Sequence, residues 1–332
     1  MIKLIKFVFS LLLFAGLAVG GWMIYFAMTP LALEQSPHEL EIKHGSSLRA
    51  VARQLADEKL IVEPWSFIIL VRALGKANDI KAGNYLLEGE VTPYQVFLKL
   101  TRGDVTQSQV VFIEGWTFRQ MRKALDDNPA VRHATLNLTE REILQQIGAE
   151  GERAEGLFFP DTYYFSSGMS DISILKRAYR IMQSRLDRAW SNRSSDVPYA
   201  TPYEALTMAS IIEKETGQAS ERPMIAAVFV NRLRIGMRLQ TDPTVIYGLG
   251  EGFDGNLRKR DLLEDTPYNT YTRAGLPPTP IAMPGGEAIQ AALHPAKSQA
   301  LYFVAKGNGT HYFSGSLTEH NRAVARYQLN RP

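Results

Sequence analysis

The chain has no cysteine. That absence excludes disulfides, thiol nucleophiles, thiolate metal sites and lipids attached through an N-terminal cysteine. Its six histidines, His38, His44, His133, His294, His311 and His320, show no His-Glu-x-x-His motif and no paired spacing. A zinc site is therefore not expected. A phosphate-binding Gly-rich loop, a dinucleotide fingerprint and a serine-hydrolase elbow are missing too, which argues against those three chemistries. The 37 Lys and Arg are scattered against 34 Asp and Glu for a net charge of +3, with no basic run of nucleic-acid type. Nucleic acid is not an expected partner. Carboxylate chemistry, without metal or cofactor, is the leading enzymatic expectation.

What the chain does have is one long apolar run. From Phe7 to Met28 no residue is charged, and Lys3 and Lys6 stand before it. Crossing a hydrocarbon core as a helix takes about 20 residues. Apolar sequence continues past the small residues Ala18-Val19-Gly20 with Trp22, Tyr25 and Phe26, so an uncleaved anchor is expected rather than a signal peptide. The lysines favour a cytoplasmic N-terminus and a single pass, with everything after about Thr29 outside the cytoplasmic membrane.

Pro30, Ser36 and Pro37 then mark a tether. A strand at Leu40-Glu41-Ile42, a turn and helix cap at His44-Gly45-Ser46-Ser47, and helices from Leu48 and Pro64 follow. A turn-strand over 81–87 and a third helix opened by Thr92-Pro93 and closed by Gly103 complete a small α+β module. The run Gly45-Ser46-Ser47-Leu48, followed by a helix and a later strand, loosely resembles a LysM-like sugar-binding module; a packing module without ligand fits equally. From Gln107 a longer mixed region begins. The expected fold is α+β, divided into 1–29 (cytoplasmic N-terminus and transmembrane anchor), 30–106 (the LysM-like module) and 107–332 (a larger mixed catalytic domain). In that larger region helices are expected over 117–125, 139–147, 172–189, 204–216 and 222–235. Turn-rich loops should follow, then strands over 300–305 and 311–314 and a last helix over 319–329.

The most informative stretch is Met208 to Thr216. Met208, Ile211, Ile212 and Glu215 fall at i, i+3, i+4 and i+7, one stripe of an amphipathic helix. A carboxyl on that stripe is desolvated, its pKa rises, and it can serve as a general acid near neutral pH. Glu213 points roughly 200° away, toward the edge of the stripe and water. The alternative is that Glu215 is structural, half-buried and paired with Arg222 or Arg232. Loops around Gln240-Thr241-Asp242, Tyr247-Gly248, Tyr268-Asn269-Thr270-Tyr271 and Gly275-Leu276-Pro277-Pro278 mix polar and aromatic residues as carbohydrate sites do; rigid turns with packed tyrosines are the other reading. Asp161, within the aromatic run 156–164, either lines such a groove or caps a turn.

ASIIEKET (209–216), NRLRIGMRLQTDPTVIYG (231–248), YNTYTRAGLPP (268–278), HP (294–295), EHN (319–321) and GLFFPDTYY (156–164) together closely resemble the MltG/YceG family of endolytic murein transglycosylases. The resemblance spans nearly the whole chain. It implies Glu215 as the catalytic acid/base, and Gln240, Thr241, Asp242, Tyr268, Asn269 and Tyr271 as substrate contacts. It implies peptidoglycan glycan strands as substrate, cut between N-acetylmuramic acid and N-acetylglucosamine with a 1,6-anhydro end. With the anchor, it implies action on nascent strands beside peptidoglycan synthases, ending their elongation. A hydrolytic muramidase and a non-catalytic peptidoglycan-binding protein are the rival expectations.

Overall fold

Apolar length at the N-terminus becomes helix: α1, Ile2–Met28, contains a 23-residue stretch from Lys6 to Met28 that is long and apolar enough to cross a membrane. The computed structural model describes residues 2–31, 33, 38–43, 45–104, 107–149 and 153–329. The expected tether residues Ser36 and Pro37, the turn residue His44 and the module boundary at 106 lie outside them. Helices interleaved with small sheets give the α+β class expected from the sequence.

The chain divides into two compact units, residues 1–108 with 164–168, and residues 109–163 with 169–332. In the first, α1 leads to β1 (His38–Ile42), α2 (Leu48–Asp57), α3 (Pro64–Ala73), β2 (Gly83–Leu87) and α4 (Pro93–Arg102). β1 and β2 pair antiparallel, with Leu40 opposite Tyr85. Local chemistry sets the helix ends. Ser47 accepts the Ala50 N–H at 3.3 Å, and Thr92 and Gln95 form a reciprocal capping box. Gly103 then stops α4 at φ 79, a left-handed conformation suited to glycine. Leu40, Val51, Leu55, Phe67, Tyr85, Leu87, Val96 and Leu100 form one buried core, which Ala27 joins from the last turns of α1. Each large apolar side chain buried there stabilises by about 2 kcal/mol.

β3 (Gln107–Val111) opens the longer region, followed by α5 (Phe118–Asp126), α6 (Glu140–Ile147) and β4 (Thr162–Ser166), which pairs with β3. Thr117 with Gln120 and Thr139 with Glu142 build capping boxes at the starts of α5 and α6. Asp161 accepts the Thr162 N–H at 2.8 Å, so it caps the turn into β4.

The second unit is organised around α8 (Pro202–Glu215), which packs on α7 (Asp171–Ser191), α9 (Arg222–Arg234), α10 (Asp242–Leu249) and α12 (Gly286–Leu293). α11 (Lys259–Leu263) precedes α12 in the chain, the antiparallel hairpin β5 (Tyr302–Ala305) and β6 (His311–Ser314) follows it, and α13 (Leu317–Tyr327) packs on both strands. The stretch expected to be turn-rich loops thus holds three α-helices and a short 3-10 turn at Gly250–Gly252. α10 starts on Asp242-Pro243, an acidic first turn with Pro at a position lacking an internal partner. α12 is small-residue helix, and its Ala288, Ala291 and Ala292 are buried.

The amphipathic reading of α8 also needs correction. Eight consecutive residues, Ala205 to Ile212, are buried, so the helix is covered all round rather than along one stripe. Ser210 fits that setting by donating to Thr207 O at 2.7 Å and accepting the Ile281 N–H at 2.9 Å.

Candidate active site

Glu213 and Glu215 both stand in the last turn of α8, on opposite sides. Because the helix is covered all round, Glu213 does not reach water: its side chain is 6% exposed. It accepts the Gly285 N–H at 2.9 Å and a guanidinium N–H from Arg222 at 3.3 Å. Arg222 also pairs with the exposed Glu287 and lies 3.9 Å from Glu114. A Cβ built on Gly285 would fall 1.9 Å from the Glu114 carboxylate, so a larger residue there would push that half-exposed side chain aside. Burial raises the Glu213 pKa, with the Gly285 amide and Arg222 opposing the rise.

Glu215 has a different shell. It is half-buried, the last residue of the helix, and its carboxylate accepts a hydrogen bond from the Thr241 hydroxyl. Neither arginine expected as an ion-pair partner binds it. Arg222 belongs to Glu213, and Arg232 donates instead to the Leu301 and Leu239 carbonyls. Burial lifts the Glu215 pKa; the Thr241 hydroxyl opposes this, Asp242 adds to it, and the charges of His311 and Arg232 act against it. The negative end of the helix dipole also disfavours the anion there. The result is a carboxyl biased toward its protonated form with few fixed partners.

The loop that meets it is built on threonines. Thr241, Thr244 and Thr270 are all buried. The Thr241 N–H donates to Thr270 Oγ1 at 3.1 Å, Thr244 Oγ1 donates to Thr241 O at 2.8 Å, and the two hydroxyls of Thr244 and Thr270 meet at 2.9 Å. This web aims Thr241 at Glu215. Gln240, just before it, is exposed and held at φ 49, a left-handed conformation that a non-glycine residue seldom takes. Asp242, just after it, is exposed and accepts the Tyr271 hydroxyl at 2.5 Å. Glu215, Thr241, Asp242 and Tyr271 are thus brought together, with Gln240 at their side.

Asn269 and Tyr268 are placed differently. Asn269 is fully buried; its amide donates to the carbonyls of Asp261, Leu262 and Glu264 and accepts the Tyr271 N–H at 2.9 Å. It shapes the loop that presents Tyr271, with its side chain turned inward. Tyr268 donates to or accepts from Thr279 at 2.9 Å and packs edge-on against Tyr247, 4.9 Å between ring centres.

Two groups escaped sequence reasoning. Glu155 is buried, accepts the Phe118 N–H at 3.0 Å and the Tyr247 hydroxyl at 3.1 Å, and is pushed up to about 7 by burial. Its one legible signal is its place immediately before the run 156–164. His311 takes Glu221 at 2.7 Å through its ring and at 2.9 Å through its backbone N–H, a pairing of residues far apart in the chain. A cavity of about 1100 Å³ lies on the Glu213 side, between Arg185, Arg222 and His294, and Glu215 does not line it.

Residues 40–326 match the model of the YceG-like family. The chain is 33% identical to the endolytic murein transglycosylase of Bacillus subtilis, over 94% of this chain and 91% of that protein. It is 27% identical to the endolytic murein transglycosylase of Streptococcus pneumoniae, covering 97% of this chain and 65% of that longer one. Among solved structures, a yceG-like protein from Listeria monocytogenes superposes with a TM-score of 0.57 at 32% identity, over 86% of this chain and 98% of the other.

Proposed function

The chain belongs to the YceG-like family and is a lytic transglycosylase, and we propose that it cuts murein glycan strands internally with Glu215 as the acid/base. The observation that carries this reading is the protonation-biased carboxyl of Glu215, held by one threonine hydroxyl beside the exposed Gln240 and Asp242. Protonated Glu215 gives its proton to the oxygen linking N-acetylmuramic acid to N-acetylglucosamine, and the C1–O bond breaks. The carboxylate then takes the proton of the muramoyl C6 hydroxyl, whose oxygen bonds to C1 and closes a 1,6-anhydro ring. Glu215 ends protonated, ready for another cycle, with no water consumed. Acid/base catalysis of this kind contributes about 10²–10⁴-fold.

Gln240, Asp242, Tyr271 and Tyr268 are the proposed substrate contacts; Thr241 and Asn269 are proposed to position them and Glu215. A hydrolytic variant has one supporting observation, since the negative charge of Asp242 acts on Glu215 and could ready a water as the second carboxylate of a muramidase. Mass spectrometry of digested glycan strands separates the two. Anhydromuramoyl ends, lost in Glu215→Gln, support the transglycosylase; reducing ends mean hydrolysis; cleavage retained in Glu215→Ala overturns Glu215 as the acid/base, and no product from the unaltered chain returns it to the binding-protein reading.

Residues 1–29 are proposed as cytoplasmic N-terminus and anchor, 30–106 as a LysM-like glycan-binding module and 107–332 as the catalytic domain, outside the cytoplasmic membrane. Tethering confines cleavage to glycan near the membrane, so the proposed substrate is the nascent strand beside a peptidoglycan synthase, and the consequence is an end to its elongation. Release of the chain from its anchor should then lengthen strands; an unchanged length distribution would count against it.

A further inference from the structure

We infer that the turn before α3 and the exposed side of that helix lie in the interfacial layer of the same membrane that α1 crosses, so that the first unit rests on lipid. The inference rests on the reading of α1 as a span. Trp22, on α1, stacks on Trp65 of α3 with ring centres 4.8 Å apart, and on Phe26 at 5.9 Å. Trp22 comes sixteen residues after Lys6, and at 1.5 Å per residue that is about 24 Å along the helix. The hydrocarbon core is about 30 Å thick. With Lys6 at the cytoplasmic boundary, Trp22 therefore lies at or inside the opposite boundary. Tilting α1 sinks it further, and snorkelling of Lys6 lifts it only as far as the headgroups. Trp65 is held at the same depth by the stack.

The surface around Trp65 suits that depth. Val62 is 90% exposed, Trp65 49% and Ile69 42%. Trp65 and Ile69 share one face at i and i+4, and Arg72, one turn further, is exposed. Before that arginine α3 carries a single polar side chain, the buried Ser66. A tryptophan at the boundary, aliphatic side chains below it and an arginine that can meet lipid phosphate are the composition of a helix lying in an interface. Beside the same stack a cavity of about 420 Å³ opens between Phe26, Leu31, Ile61, Val62 and Pro93, lined mainly by apolar groups. In water, this much contiguous apolar surface would stand uncovered.

Because the chain has no cysteine, single thiols report unambiguously. Full-length chain carrying Val62→Cys, Ile69→Cys or Ile24→Cys is labelled with an environment-sensitive fluorophore and placed in phospholipid nanodiscs. Quenching by lipid-borne nitroxide is then compared with quenching by iodide. Ile24, exposed on α1, is the reference for lipid contact. Val62 and Ile69 are expected to follow Ile24, quenched by the lipid nitroxide and protected from iodide. Iodide quenching at 62 and 69, with Ile24 still quenched from lipid, would overturn the inference and leave the span intact. Iodide quenching at Ile24 as well would overturn the span reading and the inference together.

Discussion

Two glutamates at the end of one helix, two residues apart, meet opposite surroundings. Burial raises the pKa of both, so desolvation does not distinguish them. Their partners do. Glu213 is locked by a guanidinium and a backbone amide, whereas Glu215 has one hydroxyl and open neighbours. A carboxyl that must give and retake a proton cannot be tied to a permanent cation; one that joins α8, α9 and the start of α12 is best tied that way. Partner count, more than burial, is thus what separates the proposed reactive acid from the one tied into the helices.

The comparison breaks most visibly at Glu215. Glu215→Gln is expected to keep the melting temperature and lose cleavage by at least about 10²-fold, measured by product release from glycan strands. Glu213→Ala should do the reverse, lowering stability by about 4 kcal/mol because Arg222 loses its buried partner, while the folded fraction keeps substantial turnover. If chemical denaturation found the two substitutions alike, the division of labour would be wrong.

Glu155 sharpens the contrast as a buried acid held by hydrogen bonds to the Phe118 N–H and the Tyr247 hydroxyl, with no cation pairing it among the described residues. Its pKa in the folded chain is raised, to about 7, so its contribution to stability is full below about 4.5 and lost as pH climbs through about 7. The loss amounts to about 3 kcal/mol. Glu155→Gln should remove that slope, and melting curves between pH 4 and 8, on the order of the range set by this shift, would reveal it. A smaller effect is expected from Thr241→Val. Without the hydroxyl that favours the Glu215 anion, the alkaline limb of the rate profile should move to higher pH and turnover fall about tenfold. An unmoved limb would mean that Thr241 does not tune Glu215. Smallest is Gln240→Gly, which relieves the left-handed backbone and should raise stability by about 1 kcal/mol, at the expense of substrate affinity.

Much of this was legible locally. The capping pairs Thr92 with Gln95, Thr117 with Gln120 and Thr139 with Glu142 sit within four residues and mark their helices in the sequence. α12 did not stand out, because its small apolar residues gain their meaning only against α8. Arg222 was recognisable as a carboxylate partner, yet a helical wheel assumes a wet side, and the stretch of α8 from Ala205 to Ile212 has none. That assumption left Glu213 in water and gave its arginine to Glu215. His311 with Glu221, and Glu155 with Tyr247, are pairings across long stretches of chain that no local pattern encodes.

The buried length of α8 has one more consequence, for how such a chain can change over generations. Its interior residues are hemmed in on every side, so variation there is filtered by folding before chemistry is tested. The acid itself sits at the end of that fixed post, meeting Thr241 and lying near Asp242 at the start of α10 and Tyr271 on the loop after Asn269. New preferences for glycan length or substitution therefore have an easy route through these outer residues, leaving the proposed proton donor where it stands.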